Sequence, residues 1–271
     1  MRVFLVRHGE SVANVDPSIL TKMADHVIPL SEQGRCQAEA VGQFLADALA
    51  ADNRARVLVS PYKRARDTAE LLVAKAPGAF LDMHEMIYLG EQQFGLFEGL
   101  SLADIRETFP LENAHFEKSI AFGGRFYARM PLGESRFDVV SRVARVIDRI
   151  IFDEHYYGIK DFVLVAHGTT LRAFAMAWLE RTPEWFEQLP NPQNCSVRLL
   201  DGLEDRGYIF EGFARQRGGA GDATDKEQDL VAAVSQQPEA APTVSRQALE
   251  QRLTALETEL DRIRRQLKEI E

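Results

Sequence analysis

Residues 3–10 run Val-Phe-Leu-Val-Arg-His-Gly-Glu, four apolar residues followed at once by a cation, an imidazole and a glycine. Residues 162–168 repeat this arrangement as Phe-Val-Leu-Val-Ala-His-Gly. Short apolar runs that end in turn residues are typical of buried strands, and a glycine lets the backbone turn closely after such a strand. The sequence therefore predicts two buried strands, each with a histidine at its carboxyl end.

Strand and helix signals alternate along residues 1–217. A third apolar run, Val57–Val59, ends in Ser60-Pro61 and leads into a stretch with helical spacing. Helices are predicted over residues 34–49, 62–75, 135–152 and 169–179, and two late strands over residues 195–200 and 207–213. This alternation predicts an α/β fold with a doubly wound, mostly parallel sheet and helices on both faces. Such sheets bind ligands beyond the carboxyl ends of their strands.

The composition narrows the classes of function. Hydrophobic residues make up 45% of the 271 residues, which is enough for a packed core without disulfide staples. With 32 Lys and Arg against 41 Asp and Glu, the net charge is −9, and this argues against general binding of nucleic acid. No apolar run approaches the roughly 18 residues of a membrane span, so no membrane partner is expected. Two cysteines and the lack of a signal-peptide core predict a cytoplasmic protein.

A change of composition near residue 217 divides the chain. Residues 218–244 are acidic and rich in Gly, Gln and Pro, and they contain no aromatic residue. Such a segment buries too little apolar surface to offset the entropy of ordering it. We therefore predict a domain over residues 1–217, a flexible acidic linker over residues 218–244 and a separate segment over residues 245–271.

Residues 245–271 carry a heptad pattern. Leucine and isoleucine recur at alternating intervals of four and three residues, at positions 249, 253, 256, 260, 263, 267 and 270. This spacing is typical of a coiled-coil helix, and it predicts a homo-oligomer formed through residues 245–271. The alternative is an amphipathic helix that docks on its own domain. The number of strands and their orientation stay open.

Two histidines and two arginines are expected at one edge of the sheet. His8 and His167 follow the two strands quoted first, Arg7 precedes His8, and Arg64 lies shortly after the third apolar run. Each alone is a weak signal, because a histidine at a strand end is commonly structural and an arginine pairs with any carboxylate. Together they are typical of a phosphoryl site, since arginine offers forked donors to phosphate oxygens and a neutral imidazole is a nucleophile toward phosphorus.

The order of the motifs resembles the histidine phosphatase superfamily, the phosphoglycerate-mutase-like proteins. The first motif is Arg7-His8-Gly9-Glu10, and the others follow in the family's order. They are Leu30-Ser31-Glu32-Gln33-Gly34, Ser60-Pro61 through Arg64-Ala65, Leu89-Gly90-Glu91 with Phe97-Glu98-Gly99, Gly133-Glu134-Ser135 and His167-Gly168. Six motifs in order, spread over residues 1–215, make the resemblance specific.

The resemblance implies a role for each matched position. His8 is the implied nucleophile, which forms a phosphohistidine. Arg7, Arg64 and His167 are the implied phosphate clamp. Glu91 is the implied general acid, which protonates the leaving oxygen. Further substrate contacts are implied for three residues that follow the two histidine motifs: Ser11, Asn14 and Gly168.

Other chemistries receive less support from the sequence. Glu98 is a rival acid, but its Phe-Glu-Gly setting is more typical of a structural turn. No cofactor and no metal are expected, since the sequence has no His-x-x-x-His motif and no cysteine pair at ligand spacing. Cysteine-based phosphatase chemistry is excluded, because neither Cys36 nor Cys195 has an arginine six positions later.

Residues 102–132 favour a phosphatase over a mutase. Phosphoglycerate mutases resemble one another in an Arg-Arg pair and a Pro-rich stretch at this place, and this sequence has neither. We therefore predict hydrolysis of the phosphomonoester of a small metabolite or a phosphoprotein. The alternatives are mutase-type phosphotransfer and a non-catalytic scaffold that binds phosphorylated ligands and is oligomerised by its C-terminal helix. Arg125 and Arg129 are either contacts to an anionic leaving group or solvent-facing arginines.

Overall fold

The computed structural model describes residues 1–49 and 54–213. The predicted linker and the heptad segment therefore lie outside the described residues. Within the described ranges, six strands form one sheet. They are β1 Arg2–Arg7, β2 Ala55–Val59, β3 Phe80–Glu85, β4 Asp161–Ala166, β5 Val197–Asp201 and β6 Glu204–Phe210. The three apolar runs of the sequence are the buried strands β1, β2 and β4.

The strand order is β3-β2-β4-β1-β5-β6. Strands β1 to β4 pair in parallel, whereas β5 and β6 are antiparallel to their neighbours. The prediction of an α/β fold with a mostly parallel sheet is confirmed. β1 and β4 are central neighbours, with Arg7 opposite Ala166. The histidines that follow these two strands therefore emerge side by side at one edge of the sheet.

Helices cover both faces of this sheet. The described helices are α1 Val12–Val15, α2 Glu32–Ala48, α3 Lys63–Lys75, α4 Leu102–Thr108, α5 Pro110–Gly123, α6 Arg136–Tyr157, α7 Gly168–Trp178 and α8 Pro183–Gln188. Val3 and Leu5 of β1 share a core with α6 and α7, and Phe4 and Val6 share a second core with α2 and α3. Side chains alternate along a strand, so a strand covered on both faces needs a continuous apolar run.

Several weakly patterned elements were not predicted from the sequence. These are the strand β3 and the helices α1, α4, α5 and α8. β3 lies at the edge of the sheet and exposes alternate residues, so its sequence carries polar residues such as Asp82 and His84. α6 continues to Tyr157, five residues past its predicted end at residue 152. The last strand ends at Phe210 rather than residue 213, and the chain then turns at Gly212, where φ is +78°.

A smaller apolar cluster lies between β3 and α6 in the sequence. Its fully packed members are Phe94, Phe97, Ile105, Phe116, Ala128 and Met130. α4 begins with a capping box, in which Ser101 and Asp104 satisfy each other's backbone amides. This cluster anchors the segment that carries Phe94 and Glu98, and that segment contributes to the candidate site.

Candidate active site

His8 and His167 lie beyond the ends of β1 and β4, with their ring centroids 5.1 Å apart. The His8 amide donates to the Ala166 carbonyl at 2.9 Å, which extends the pairing of these strands by one residue. His8 Nδ1 lies 2.7 Å from the Gly9 carbonyl oxygen. Because a carbonyl oxygen only accepts, Nδ1 carries the proton and Nε2 keeps a lone pair. Nε2 is therefore the nucleophilic atom of this imidazole.

Arg64 faces that nitrogen from the first turn of α3. Its Nε donates to His8 Nε2 at 3.3 Å, and its Nη1 and Nη2 donate to the two carboxylate oxygens of Asp25 at 2.7 and 3.1 Å. The guanidinium carbon also lies 5.2 Å from the centre of the Tyr62 ring. The guanidinium is thus fixed with one edge toward His8 and its two-pronged end on Asp25.

Arg7 and His167 are the other two buried groups beside His8. Arg7 donates from Nη1 to the Pro192 carbonyl at 2.6 Å. His167 Nε2 lies 2.8 Å from the Ser60 hydroxyl, at the end of β2. Burial and the charge of Arg64 lower the pKa of His167 well below its ordinary value, so this imidazole is neutral. Its Nδ1 is buried without a hydrogen-bond partner among the described residues.

Glu91 approaches the same place from the segment between β3 and α4. Its Oε1 accepts from the Gln92 amide at 2.9 Å and from the Thr170 hydroxyl at 3.3 Å. Burial raises the pKa of Glu91 to about 7, against the opposing effects of the Gln92 amide and the Arg64 charge. A carboxyl group with this pKa holds a proton on a large share of molecules at neutral pH, and it therefore has a proton to give.

Arg142 of α6 holds the Glu91 segment by its backbone. It donates to the Tyr88 carbonyl at 2.6 Å, to the Glu91 carbonyl at 3.1 Å and to the Glu134 carboxylate at 2.8 Å. Glu134 in turn accepts from the Gln93 amide at 3.0 Å. Helix α6 therefore fixes the position of the Glu91 backbone, from which the carboxyl side chain extends. The same bonds give Glu134, which has no chemical role in the sequence analysis, a structural one.

These groups open onto one cleft of about 540 Å³, open solvent included. Arg7, His8, Arg64 and Glu91 all line it. His167 does not line the cleft, but its ring contacts that of His8. An imidazole lone pair, two guanidinium groups and a carboxyl group that holds a proton at neutral pH can together accept a phosphoryl group and protonate what leaves it.

The comparison with known proteins agrees with this geometry. The family model of the histidine phosphatase superfamily (branch 1) matches residues 3–211. The chain belongs to the histidine phosphatase superfamily. The resemblance inferred from its motifs is thereby confirmed.

Individual relatives within the superfamily carry different names. The chain is 33% identical to the phosphoglycerate mutase-like protein AT74 of Arabidopsis thaliana, over 74% of this chain and 64% of that protein. It is 30% identical to the 2,3-bisphosphoglycerate-dependent phosphoglycerate mutase 2 of Gloeobacter violaceus, over 68% of this chain and 78% of that protein. The structure of a mycobacterial glucosyl-3-phosphoglycerate phosphatase matches with a TM-score of 0.58 at 26% identity, over 73% of this chain and 88% of that chain. The superfamily is thus shown, while its mutase and phosphatase members both resemble the chain.

The sequence leaves two interpretations for Glu98, a structural turn residue and a rival general acid, and the structure has features of both. Glu98 ends the short 3-10 turn Gly95–Phe97, as a structural turn residue would. It nevertheless lines the cleft beside His8. Burial raises the pKa of Glu98 to about 7, and the negative charge of Asp25 adds to the effect.

Ser11, Asn14 and Gly168 have structural partners in addition to their place near the site. Ser11 caps α1 and forms a capping box with Asn14, and both residues line the cleft. Asn14 Oδ1 also accepts from Asn194 at 3.3 Å. Gly168 does not line the cleft but begins α7, where a Cβ would lie only 2.1 Å from the Asn191 side chain. Glycine is therefore required at this position for close packing.

Arg125 and Arg129 do not line the cleft around His8. Arg129 is 66% exposed and pairs with Asp138 at 2.5 Å. Arg125 is half-buried and has contacts of its own. The structure thus brings the two histidines, Arg7, Arg64 and Glu91 together and leaves this arginine pair outside the group.

Several site contacts carried no sequence signal of their own. The carboxylate of Asp25 on Arg64 depends on how the 3-10 turn Asp25–Val27 packs against α3. Arg142 contacts the Glu91 segment across 51 residues of sequence. Ser60 belongs to the Ser60-Pro61 motif, but its bond to His167 spans 107 residues of sequence.

Other kinds of site are not apparent in the part of the chain that the structure describes. Within residues 1–49 and 54–213, no group of three His, Cys, Asp or Glu side chains has an arrangement suited to a metal ion. In the same ranges, no helix is long and apolar enough to cross a membrane. Cys36 and Cys195 are both free thiols.

Proposed function

We propose that this chain is a phosphomonoester hydrolase that acts through a phosphohistidine on His8 and needs no metal ion. The observation that carries the proposal is the state of the His8 ring. Its Nδ1–H donates to the Gly9 carbonyl oxygen, so Nε2 carries the lone pair that would attack phosphorus, and it accepts from Arg64 Nε at 3.3 Å. Arg7 and Arg64 supply the positive charge that a transferring phosphoryl group requires.

In the first step, His8 Nε2 forms a bond to phosphorus while the bond from phosphorus to the leaving oxygen breaks. The proton of Glu91 passes to that oxygen, and the alcohol departs uncharged. Arg7 and Arg64 balance the charge on the phosphoryl oxygens, and the neutral His167 adds a hydrogen bond from its buried ring. The raised pKa of Glu91, about 7, supports its role as the donor.

In the second step, a water molecule attacks the phosphohistidine. The carboxylate of Glu91 takes the proton of the water, the bond between Nε2 and phosphorus breaks, and inorganic phosphate leaves. His8 regains its lone pair and Glu91 its proton, so the site returns to its starting state. Ser11 and Asn14 line the same cleft and are further candidates for contacts to the substrate.

The test is hydrolysis of phenyl phosphate by the purified full chain in the presence of a chelator. We expect turnover that the chelator leaves unchanged, and His8→Ala should lower it about 10³-fold or more because the nucleophile is gone. His115→Ala changes an exposed histidine of α5 and serves as the matched control. Retained turnover in His8→Ala would exclude His8 as the nucleophile, and its absence from the parent chain would favour the scaffold alternative.

The mutase alternative predicts a different product. A mutase returns the phosphoryl group to its substrate, so incubation with 3-phosphoglycerate and its bisphosphate would yield 2-phosphoglycerate without release of phosphate. A hydrolase releases inorganic phosphate. The phosphatase and mutase names of the relatives make this comparison the decisive one for the reaction type.

The heptad segment and the location of the protein belong to the proposal as well. We propose that residues 245–271 make the protein a homo-oligomer, because their apolar positions follow the coiled-coil spacing without a break. The free thiols of Cys36 and Cys195 fit a reducing compartment such as the cytoplasm.

A further inference from the structure

The part of the cleft away from the phosphoryl clamp, where the leaving group of the substrate would lie, is lined by apolar and acidic side chains. This inference rests on the proposed function, since it concerns the far end of the substrate whose phosphoryl group His8 accepts. Besides the phosphoryl clamp, Glu91, Ser11 and Asn14, the lining contains four apolar residues and two carboxyl groups. They are Ala13, Pro17, Leu20, Phe94, Asp25 and Glu98.

Asp25 controls how much positive charge Arg64 offers to the cleft. A guanidinium has five N–H donors, and the two-pronged end of Arg64 is already bound to both oxygens of Asp25. The Nε edge points to His8, where the phosphoryl group forms its bond. Arg64 can therefore donate to the phosphoryl group from its Nε edge, while the charge at its other end is balanced by the carboxylate of Asp25.

Glu98 adds a second carboxyl group on the leaving-group side. It belongs to the segment anchored by the Phe97 and Phe116 cluster, and the next residue, Gly99, packs against Leu20 of the 3-10 turn Pro17–Thr21. The side chain is half-buried. Burial, and after it the negative charge of Asp25, raises the pKa of Glu98.

Positive charge beyond the clamp is lacking in the described lining. Arg7 and Arg64 are the arginines that line the cleft, no lysine of residues 1–49 and 54–213 does so, and both arginines belong to the phosphoryl end. The exposed Arg129 is paired with Asp138 and lies outside the lining. A second anionic group on a substrate would therefore meet carboxylates rather than cations.

We propose that the leaving-group end of the cleft selects phosphomonoesters whose alcohol or phenol has an apolar body and carries an ammonium group, and that it rejects esters with a second phosphate or a carboxylate. The apolar residues take the body of the leaving group, and the ionised Glu98 attracts the cation, whereas the charge of Asp25 is already matched by Arg64. Opposite charges at the distances of a cleft wall interact strongly when water is partly excluded.

The experiment uses three aryl phosphates that differ only in a para side chain, which ends in an ammonium, a hydroxyl or a carboxylate group. A methylene group next to the ring keeps the acidity of the three phenols nearly equal. At about pH 8, above the pKa of Glu98, Glu98 is ionised. We expect kcat/KM to fall from ammonium to hydroxyl to carboxylate, with the end members about 10-fold or more apart. Equal values, or a preference for the carboxylate, would overturn the inference.

Glu98→Gln tests the residue that carries the selection. It keeps the shape of the side chain and removes the charge, so the ratio of the ammonium to the carboxylate ester should fall by about threefold or more. The matched control is Glu107→Gln, which removes an exposed charge of α4 outside the cleft and should leave the ratio unchanged. A ratio that Glu98→Gln does not alter would exclude Glu98 as its source.

Binding separates this inference from the proposed function. The matching benzylphosphonates cannot be hydrolysed, and their dissociation constants from the parent chain are measured by calorimetry. Tighter binding of the ammonium compound supports the inference even if no ester is turned over, a result that would overturn the hydrolase proposal alone. Turnover of all three esters with equal binding of the phosphonates would overturn the inference alone.

Discussion

At the residue scale, the protonation of Glu91 governs the expected pH dependence. Burial raises the pKa of Glu91 to about 7, and the general acid acts only while it holds its proton. Turnover of alkyl phosphates should therefore be retained below this pKa and fall as the pH rises through about 7. Glu91→Gln should lower alkyl turnover about 10²-fold or more and abolish this decline. The measurement is a pH profile of kcat/KM for both proteins.

The leaving group provides the control for that prediction. In the proposed mechanism an alkyl oxygen needs the proton of Glu91, whereas nitrophenolate leaves readily without it. Glu91→Gln should therefore slow a nitrophenyl ester much less than an alkyl ester, and Glu107→Gln on the exposed side of α4 should slow neither. Equal slowing of both esters by Glu91→Gln would remove Glu91 from the role of acid and leave Glu98 as the rival.

Local sequence predicted those site residues that follow strands. His8 and His167 each come directly after an apolar run, and parallel neighbouring strands bring such positions together. Asp25 and Arg142 could not be predicted in this way, because each reaches the site from an element whose packing only the folded chain determines. The Phe-Glu-Gly sequence around Glu98 predicts a structural turn, and it gives no indication that Glu98 also lines the cleft.

At the element scale, α6 links the core of the domain to the acid segment through Arg142. Arg142→Ala would remove the four hydrogen bonds from Arg142 to Tyr88, Glu91 and Glu134. We expect kcat for alkyl phosphates to fall about 10-fold, because a displaced general acid transfers its proton less effectively. Turnover of a nitrophenyl ester should fall less, since that ester depends less on the acid. This split identifies a positioning residue, as a general loss of folded protein would slow both esters alike.

Two further variants define that effect. Arg145→Ala removes an exposed arginine from the same helix that forms an i,i+3 ion pair with Asp148, and it should leave both activities unchanged. Arg142→Lys keeps the charge but loses the forked geometry, so it should recover only part of the alkyl activity. Full recovery by lysine would show that charge alone, rather than the hydrogen bonds to the backbone, is what Arg142 contributes.

The elements that the sequence predicted are those with one strong apolar face. α2, α3, α6 and α7 each cover the large sheet and must repeat apolar residues at helical spacing. α4 and α5 pack instead on a small cluster made largely of loop residues, so their sequences carry a weaker pattern. β3 has polar residues at alternate positions because it forms the edge of the sheet. The more apolar area an element buries, the more clearly the periodicity of its sequence predicts it.

At the scale of the whole molecule, strand order explains how an acidic chain gathers two arginines and two histidines at one point. The net charge of −9 describes the chain as a whole, whereas β2, β4 and β1 are successive neighbours in the sheet, and Arg7 after β1 and Arg64 after β2 both reach His8. The alternation of strands and helices predicts a parallel sheet, but no local pattern states which strands are neighbours. The strand order determines which side chains meet at the candidate active site, and it depends on the packing of the entire domain.

The last expectation concerns the assembly of the whole chain. The heptad positions of residues 245–271 predict self-association. A chain that ends after Ala214 should therefore have about half the mass of the full chain, or less than half, by light scattering. In the full-length chain, Leu256→Glu with Leu260→Glu places charges at two seam positions and should lower the mass in the same way. Gln251→Glu with Thr258→Glu places charges outside the seam and should not. An unchanged mass on truncation would exclude the coiled coil, and a lower melting temperature in that case would favour a helix docked on its own domain.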